Sequence, residues 1–399
     1  MKWEKVKLGS VTDSCLGKML DQNKNKGDYQ PYLANVNVRW GEFDLEDLPL
    51  MKFEESEQER YELKYGDLVI CEGGEPGRCA IWKEQIPNMK IQKALHRVRV
   101  HDCLDYRYLF YWFLLAGKTG ELDQYFTGAT IKHMPGQKLK EVVIDKPPLE
   151  IQHRIADILS AYDDLIENNQ KQIKLLEEAT QRLYKEWFVD LHFPGYENTK
   201  IVDGVPEGWN WCKLEDAIQF DPKVTLTKER MKQFVPMPAL STASMVLDES
   251  QFTETTSNSG SKFQNGDTLL ARITPCLENG KTAYVSGLKS DEGAVGSTEY
   301  IVMRAKTINS YMVYLLARTD DFRQSAINSM SGSDGRQRVK SDKLKMLDYL
   351  HPTSELVEKF ENVEEPIFEK IYRLSKQMQR AKQARDLLLP KLMSGEVEV

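Results

Sequence analysis

The chain has 399 residues, of which 41% are hydrophobic and 29% charged, and a formal net charge of −7. That length suits two or three domains, the composition is that of an ordinary soluble chain, and the acidic balance argues against wholesale coating of nucleic acid. The longest wholly apolar run is Tyr108 to Ala116, well short of the roughly 20 residues a membrane helix needs.

The opening MKWEKVKLGS lacks the apolar centre of a secretory signal. Six cysteines form no CxxC pair, and their spacing fits neither a zinc site nor a compact disulfide frame, so mostly buried thiols are expected. A cytoplasmic protein with reduced thiols and no membrane partner is expected. Charge is uneven along the chain. Gly41 to Glu62 carries nine acids against Lys52 and Arg60, whereas Gly77 to Arg99 carries Arg78, Lys83, Lys90, Lys93, Arg97 and Arg99 against Glu84 alone. A local basic groove is compatible with an acidic total.

In chain order, the first distinctive stretch is GDLVICEGGEPGRCAIW, Gly66 to Trp82. It is an apolar strand followed by a glycine-containing turn. It holds no G-x-x-x-x-G-K-[ST], no G-x-G-x-x-G opens a helix after it, and its acids would repel phosphate, so a hairpin-like turn is predicted. HRVRV, His96 to Val100, alternates as a strand. His96 and His101 then face opposite sides and share no metal. Tyr106 to Ala116 reads as an apolar helix whose aromatic residues pack in a core. DKPPL at Asp145 lacks the uninterrupted Asp-Pro-Pro-Tyr of amino-methyltransferases. A long charged helix is predicted from about Leu149 to Val189, starting beside Pro147-Pro148.

The second half repeats this plan. Gly266-Asp267 echoes Gly66-Asp67, offset 200; Ala317 echoes Ala116, offset 201; Lys343-Leu344-Lys345 echoes Lys138-Leu139-Lys140, offset 205; Lys213-Leu214 echoes Lys7-Leu8, offset 206. Drift of this size is what loop insertions leave in a duplicated unit. EYIVMR, Glu299 to Arg304, is a strand, Tyr311 to Ala317 a helix, and Ser354 to Met393 a second long helix.

Apolar positions at 151, 155, 158, 162, 165, 173, 176, 183 and 187, and at 360, 363, 367, 371, 374, 378, 381, 388 and 392, step by three and four through most of both helices. That is a coiled-coil seam. Asn168-Asn169-Gln170 interrupts the first seam as a polar register pin or a stutter. Pro366 is expected to kink or restart the second helix. Forty helical residues reach about 60 Å, so the simplest arrangement pairs the two helices antiparallel, with a globular domain toward each end.

PLEIQHRIADILSAYDDLIENNQKQIKLLEEATQRLYKEWFVDLHFPG (Pro148 to Gly195), GVPEGW (Gly204 to Trp209) and RDLLLPKLMSGEV (Arg385 to Val397) together resemble the conserved segments of type I restriction–modification specificity subunits. The resemblance runs over essentially the whole chain. It implies an α+β fold: two similar mixed α/β target recognition domains separated by two long antiparallel coiled-coil helices, a pseudo-twofold internal repeat. The divisions expected are 1–147, first recognition domain; 148–190, first spacer helix; 191–352, second recognition domain with a leading linker at 191–208; and 353–399, second spacer helix and tail. It implies a non-catalytic subunit in which each domain reads one half of a split site in double-stranded DNA. The helices would set the gap and dock two DNA-adenine methyltransferase (modification) subunits, joined in full assemblies by motor-nuclease (restriction) subunits. No cofactor is then expected on this chain; S-adenosylmethionine, ATP and Mg belong to the partners.

Base edges are read by Arg or Lys on guanine, Asn or Gln on adenine, and Glu or Asp on cytosine. By type and place, the first half offers Arg39, Glu72, Glu75, Arg78, Gln92, Lys93, His96, Arg97, Thr130, Lys132 and His133. The second offers Arg272, Thr274, Asn279, Lys281, Ser297, Thr298, Glu299, Ser333, Arg336 and Arg338. GATIKH and GSDGRQ occupy the same place in the repeat, where glycine and small polar residues suit close approach to phosphates. The alternative from a different class is a coiled-coil assembly scaffold that never touches DNA, which the acidic net charge favours.

Overall fold

Residues 3–21, 25–290, 292–332 and 335–399 are described in the computed structural model. Packing divides the chain into one unit of Met1–Leu165 with Arg380–Val399 and a second of Ile166–Gln379.

The first unit has strands β1 (Glu4–Lys7), β2 (Thr12–Leu16), β3 (Asp28–Leu33), β4 (Leu50–Phe53), β5 (Leu68–Cys71), β6 (Cys79–Ile81), β7 (Lys90–Ile91), β8 (Leu95–Val100) and β9 (Val143–Lys146). They form a sheet in the order β2-β8-β5-β6, a second ordered β4-β3-β7, and the pair β1-β9. In the first sheet every pairing is antiparallel. β5 is buried along its whole length, as a strand covered on both faces must be.

The repeated Gly-Asp pair starts that buried strand. Gly66 has φ +85° and Gly266 has φ +88°, the left-handed region that glycine enters without strain. The next residue, Asp67, is 1% exposed. Its carboxylate accepts from the Lys64 N–H at 2.7 Å and from Arg99 Nε and Nη2, both at 2.7 Å. Asp267, also 1% exposed, repeats this: it accepts from Gln264 N–H at 2.8 Å and from Arg304 at 2.6 and 2.7 Å. One aspartate thus closes a turn and ties β5 to β8 through a bidentate guanidinium, and its copy does the same in the second half. A buried carboxylate is tolerated only when paired and hydrogen-bonded in this way.

The predicted aromatic helix spans Tyr106–Thr119. Asp105 caps it, accepting from Arg107 N and Tyr108 N, and Gly120 ends it in the left-handed region. Tyr108, Phe110, Tyr111, Trp112 and Phe113 are buried in the core, as their spacing predicts.

The first long helix is Leu149–Phe188 and the second Ser354–Met393. Within the first unit, Gln152 is fully buried. It accepts from Asp105 N–H at 2.9 Å and donates to the carbonyls of Cys103 (3.2 Å) and Pro147 (2.8 Å). Asp163 accepts from Tyr111 Oη at 2.6 Å and pairs with Arg385 of the second helix.

The second unit has β10 (Ile201–Val202), β11 (Val205–Pro206), β12 (Asn210–Lys213), β13 (Ile218–Phe220), β14 (Lys232–Val235), β15 (Thr253–Thr255), β16 (Ser261–Phe263), β17 (Thr268–Ala271), β18 (Thr282–Tyr284), β19 (Ala294–Gly296), β20 (Tyr300–Ala305) and β21 (Asp348–His351). Its sheets run β13-β20-β17-β18 and β15-β14-β19-β16, with the pairs β12-β21 and β10-β11. The order β13-β20-β17-β18 is the duplicate of β2-β8-β5-β6, and β12-β21 is the duplicate of β1-β9. A helix at Ser310–Arg318, capped by Asn309, matches the aromatic helix of the first unit.

In this unit Phe360 of the second helix lies 4.8 Å from Phe188 and 5.4 Å from Trp187, ring centre to ring centre. Asn169, 1% exposed, donates to the Leu374 carbonyl (3.5 Å) and Gln377 Oε1 (3.3 Å). Residue 169 meets 374 and 377 while 188 meets 360, so the helices run antiparallel here. Asn169 reaches across to the second helix, as the register-pin reading expects.

Two expectations change. The second long helix continues without interruption through Pro366. Proline removes one N–H, so the Asn362 carbonyl loses its partner; both residues are exposed, which lets water supply the bond, and the helix is held on either side by buried Phe360 and Phe368. The buried stripe of the first helix also differs from the apolar one. Gln152, Asn169, Glu177 and Thr180 are buried, whereas Ile158 is 37% exposed. Each buried polar side chain has a specific hydrogen bond, which periodicity of apolar residues does not register.

Candidate nucleic-acid interface

In the first unit the loop after β5 (Glu72 to Arg78) meets two others. The Arg78 guanidinium donates to Glu75 (2.9 Å) and to the Asn35 carbonyl (3.1 Å), and Trp40 Nε1 donates to Glu75 Oε1 (2.7 Å). Residues Thr127 and His133 bridge each other, and His133 bridges Gly73. The His133 ring lies close over Gly73, where a Cβ would stand 2.8 Å from its Nδ1. Glu72 N–H donates to the Ala94 carbonyl, and its own carbonyl accepts from Met134 N–H.

The second unit builds the same backbone platform. Ser331 and Arg338 bridge each other, and Arg338 bridges Ile273. Arg272 N–H donates to the Glu299 carbonyl, and the Arg272 carbonyl accepts from Val339 N–H, both at 3.0 Å. The strand registers fix the correspondence, since Cys71 opposes Leu95 and Ala271 opposes Tyr300. Position 72 therefore matches 272, 94 matches 299, and 133 matches 338. The backbone is shared; the side chains are not. Glu72, Ala94 and His133 in the first unit correspond to Arg272, Glu299 and Arg338 in the second.

The structure distributes the candidate residues unevenly. Arg39, Glu75, Lys93, Thr130, Lys132 and His133 are exposed in the first unit, as are Asn279, Thr298 and Arg336 in the second. Glu72, Arg78, Gln92, Arg272, Thr274, Lys281, Ser297, Glu299 and Arg338 are half-buried. Arg39 donates to the Val36 and Val38 carbonyls. Lys132 lies 3.6 Å from Asp123 and over the Phe126 ring. Thr274 donates to Glu278, Lys281 to the Met237 carbonyl, and Ser297 Oγ accepts from Glu299 N–H. Ser333 lies outside the described residues.

His96 and Arg97 do not belong to this surface. His96 is 1% exposed, with Nε2 2.9 Å from the Met134 carbonyl, and burial holds its pKa below the usual histidine range. Arg97 donates to the carbonyls of Glu59, Arg60 and Glu62. HRVRV alternates like a half-exposed strand, but β8 lies between β2 and β5 and its first four residues are buried on both faces. Gln92 and Lys93 sit against Gly17 and Lys18 and lead directly into Ala94, whose carbonyl accepts from Glu72 N–H. Sequence reasoning missed Asn35 and Trp40, which clamp the Arg78–Glu75 pair from about 40 residues upstream in a segment with no distinguishing motif.

Comparison with known proteins agrees with this duplicated sheet-and-helix plan. Residues 1–178 match the family model of the type I restriction modification DNA specificity domain. The chain is 29% identical over 346 residues to the type I restriction enzyme MjaIX specificity subunit of Methanocaldococcus jannaschii, covering 84% of this chain and 78% of that one. It is 35% identical over 140 residues to the EcoAI specificity subunit of Escherichia coli, covering 34% of this chain and 24% of that one. The fold is similar to the crystal structure of a type I restriction–modification S subunit from M. genitalium, with a TM-score of 0.60 at 15% identity over 98% of this chain and 96% of that one. Residues 1–178 thus resemble a type I restriction modification DNA specificity domain, and the chain as a whole is similar in sequence and fold to specificity subunits of type I restriction enzymes. Among the described residues no helix is long and apolar enough to cross a membrane.

Proposed function

We propose that each unit reads one half of a bipartite site in double-stranded DNA through its three-loop platform. The two long helices set the gap between half-sites and dock two DNA-adenine methyltransferase subunits, with motor-nuclease subunits joining in a complete restriction complex. S-adenosylmethionine, ATP and Mg act on those partners, in the cytoplasm. The observation that carries this reading is the platform itself: one backbone arrangement occurs twice, with different side chains at 72/272, 94/299 and 133/338. A scaffold needs no such duplication of loops. Two readers of different short sequences do, because discrimination of about 1–3 kcal/mol per good bidentate base contact multiplies when two readers are tethered.

The competing scaffold reading is separated by salt. Binding of the chain with its modification subunit to a labelled duplex is followed by fluorescence anisotropy between 50 and 300 mM salt. A reader loses affinity linearly in log–log form, by about 0.9 per phosphate neutralised; absence of duplex binding at the lowest salt leaves the scaffold.

A further inference from the structure

In the second unit the Glu299 carboxylate grips one edge of the Arg338 guanidinium. Nε donates to both oxygens at 3.0 and 2.9 Å, and Nη2 donates to Oε1 at 2.8 Å. Nη1 donates to the Arg336 carbonyl at 3.2 Å. A guanidinium carries five N–H groups. Among the described residues these contacts engage three and leave one on each terminal nitrogen, so a two-pronged donor remains at the tip. Arg338 is 40% exposed and Glu299 25%, so the pair is neither sealed in a core nor loose in solvent. Its backbone is pinned from both sides, by the exchange of 3.0 Å hydrogen bonds between Arg338 and Ser331 and by the Arg272 N–H on the Glu299 carbonyl. The hydrogen bonds from Arg338 also hold the Glu299 carboxyl below the usual carboxylate range, so it is ionised whenever the guanidinium needs it.

A base that accepts two parallel N–H donors on its major-groove edge is guanine, through O6 and N7. Adenine sets a donor beside its single acceptor, thymine offers one oxygen and a methyl group, and cytosine offers a donor. We propose that Arg338, braced by Glu299, reads a guanine in the half-site contacted by the second unit. The first unit lacks this reader, because Ala94 and His133 stand in the equivalent places and an imidazole ring has no pair of parallel N–H donors. Arg338 is the specificity-determining residue and Glu299 its positioning residue. The inference rests on the proposed reading of each unit as a half-site reader.

The test uses the full chain assembled with its modification subunit and supplied with S-adenosylmethionine. Methylated adenines are mapped by long-read sequencing for the wild type and for Arg338→Ala, Arg338→Lys and Glu299→Gln. The wild type is expected to require guanine at one position of one half-site. Arg338→Ala relaxes that position alone, lowering the preference for guanine about ten- to a hundredfold, with the other half-site and the gap unchanged. Glu299→Gln relaxes the same position to a smaller degree. Arg338→Lys keeps the charge and the stem but loses the planar fork, so it too relaxes that position, which covers the case in which the alanine variant does not assemble. An unaltered motif in Arg338→Ala or Arg338→Lys overturns the assignment. So does a uniform fall in methylation with every base requirement intact, which is the signature of a phosphate contact or of a purely structural pair. A wild-type motif that is continuous or absent sinks the half-site reading itself, whereas a bipartite wild-type motif that the variants leave untouched sinks only the role of Arg338.

Discussion

Asp267→Ala lowers the stability of the second unit by about 3–5 kcal/mol, the cost of leaving one member of a buried ion pair without its partner. Asp267 is 1% exposed, and Arg304 lies against it with its side chain 22% exposed. Removing the carboxylate strands the guanidinium between β17 and β20 and also takes the acceptor from the Gln264 N–H. Asp67→Ala should act equally on the first unit, because Asp67 has the same burial and the same three donors. Urea unfolding monitored by tryptophan fluorescence measures both. Replacing the pair together, Asp267→Leu with Arg304→Met, should recover most of the loss, since an apolar pair of similar volume is often as stable as a buried ion pair. A loss below about 1 kcal/mol for Asp267→Ala, the range of a surface ion pair, would contradict the account of why Gly-Asp occurs twice.

Glu364→Gln should stabilise the second unit at pH 8 by about 3 kcal/mol. Glu364 is fully buried on the stripe of the second long helix that carries Phe360, Phe368 and Ile371. Among the described residues neither of its carboxyl oxygens has a hydrogen-bond partner. Burial raises its pKa from 4.5 to about 7. A carboxyl shifted upward is protonated in the folded chain while the unfolded chain has already ionised. The folded state is therefore favoured fully below pH 4.5 and loses that advantage as the pH rises toward about 7. Glutamine keeps the shape and cannot ionise, so the variant's stability should fall less steeply across this window. Glu177 remains as a smaller contributor of the same sign: burial raises its pKa, while Ser244 and Met245 N–H oppose the shift. Stability measured at half-unit intervals from pH 4.5 to 8 decides the matter, and parallel profiles for the wild type and Glu364→Gln would refute it.

The duplication and both long helices were legible because they rest on repeated spacing. The second helix begins and ends at Ser354 and Met393 as expected, and the first ends at Phe188, one residue short of the expected Val189. Interactions between distant residues were not legible. Asp67 finds Arg99 32 residues later and Asp267 finds Arg304 37 residues later, distances that no local pattern encodes. Gln152, Asn169 and Glu177 of the polar stripe were hidden for the same reason, since their partners are supplied by other segments, whereas Thr180 bonds within its own helix. Pro366 does not restart the helix; the sequence shows the lost N–H but not the tertiary packing on either side of it. Among the site residues, chemical type was readable and exposure was not. Arg97 and Arg338 look alike in sequence, yet one donates to three backbone carbonyls behind β8 and the other is half-exposed on the loop platform.

Bipartite recognition needs two readers with one backbone platform and two sets of side chains. The methylation map of the wild-type chain in complex with its modification subunit tests this most directly. Two short, unlike sequences separated by a constant number of unspecified base pairs are predicted, with methylated adenine in each. A single uninterrupted motif, two identical half-sites, or a gap that varies from site to site would contradict it.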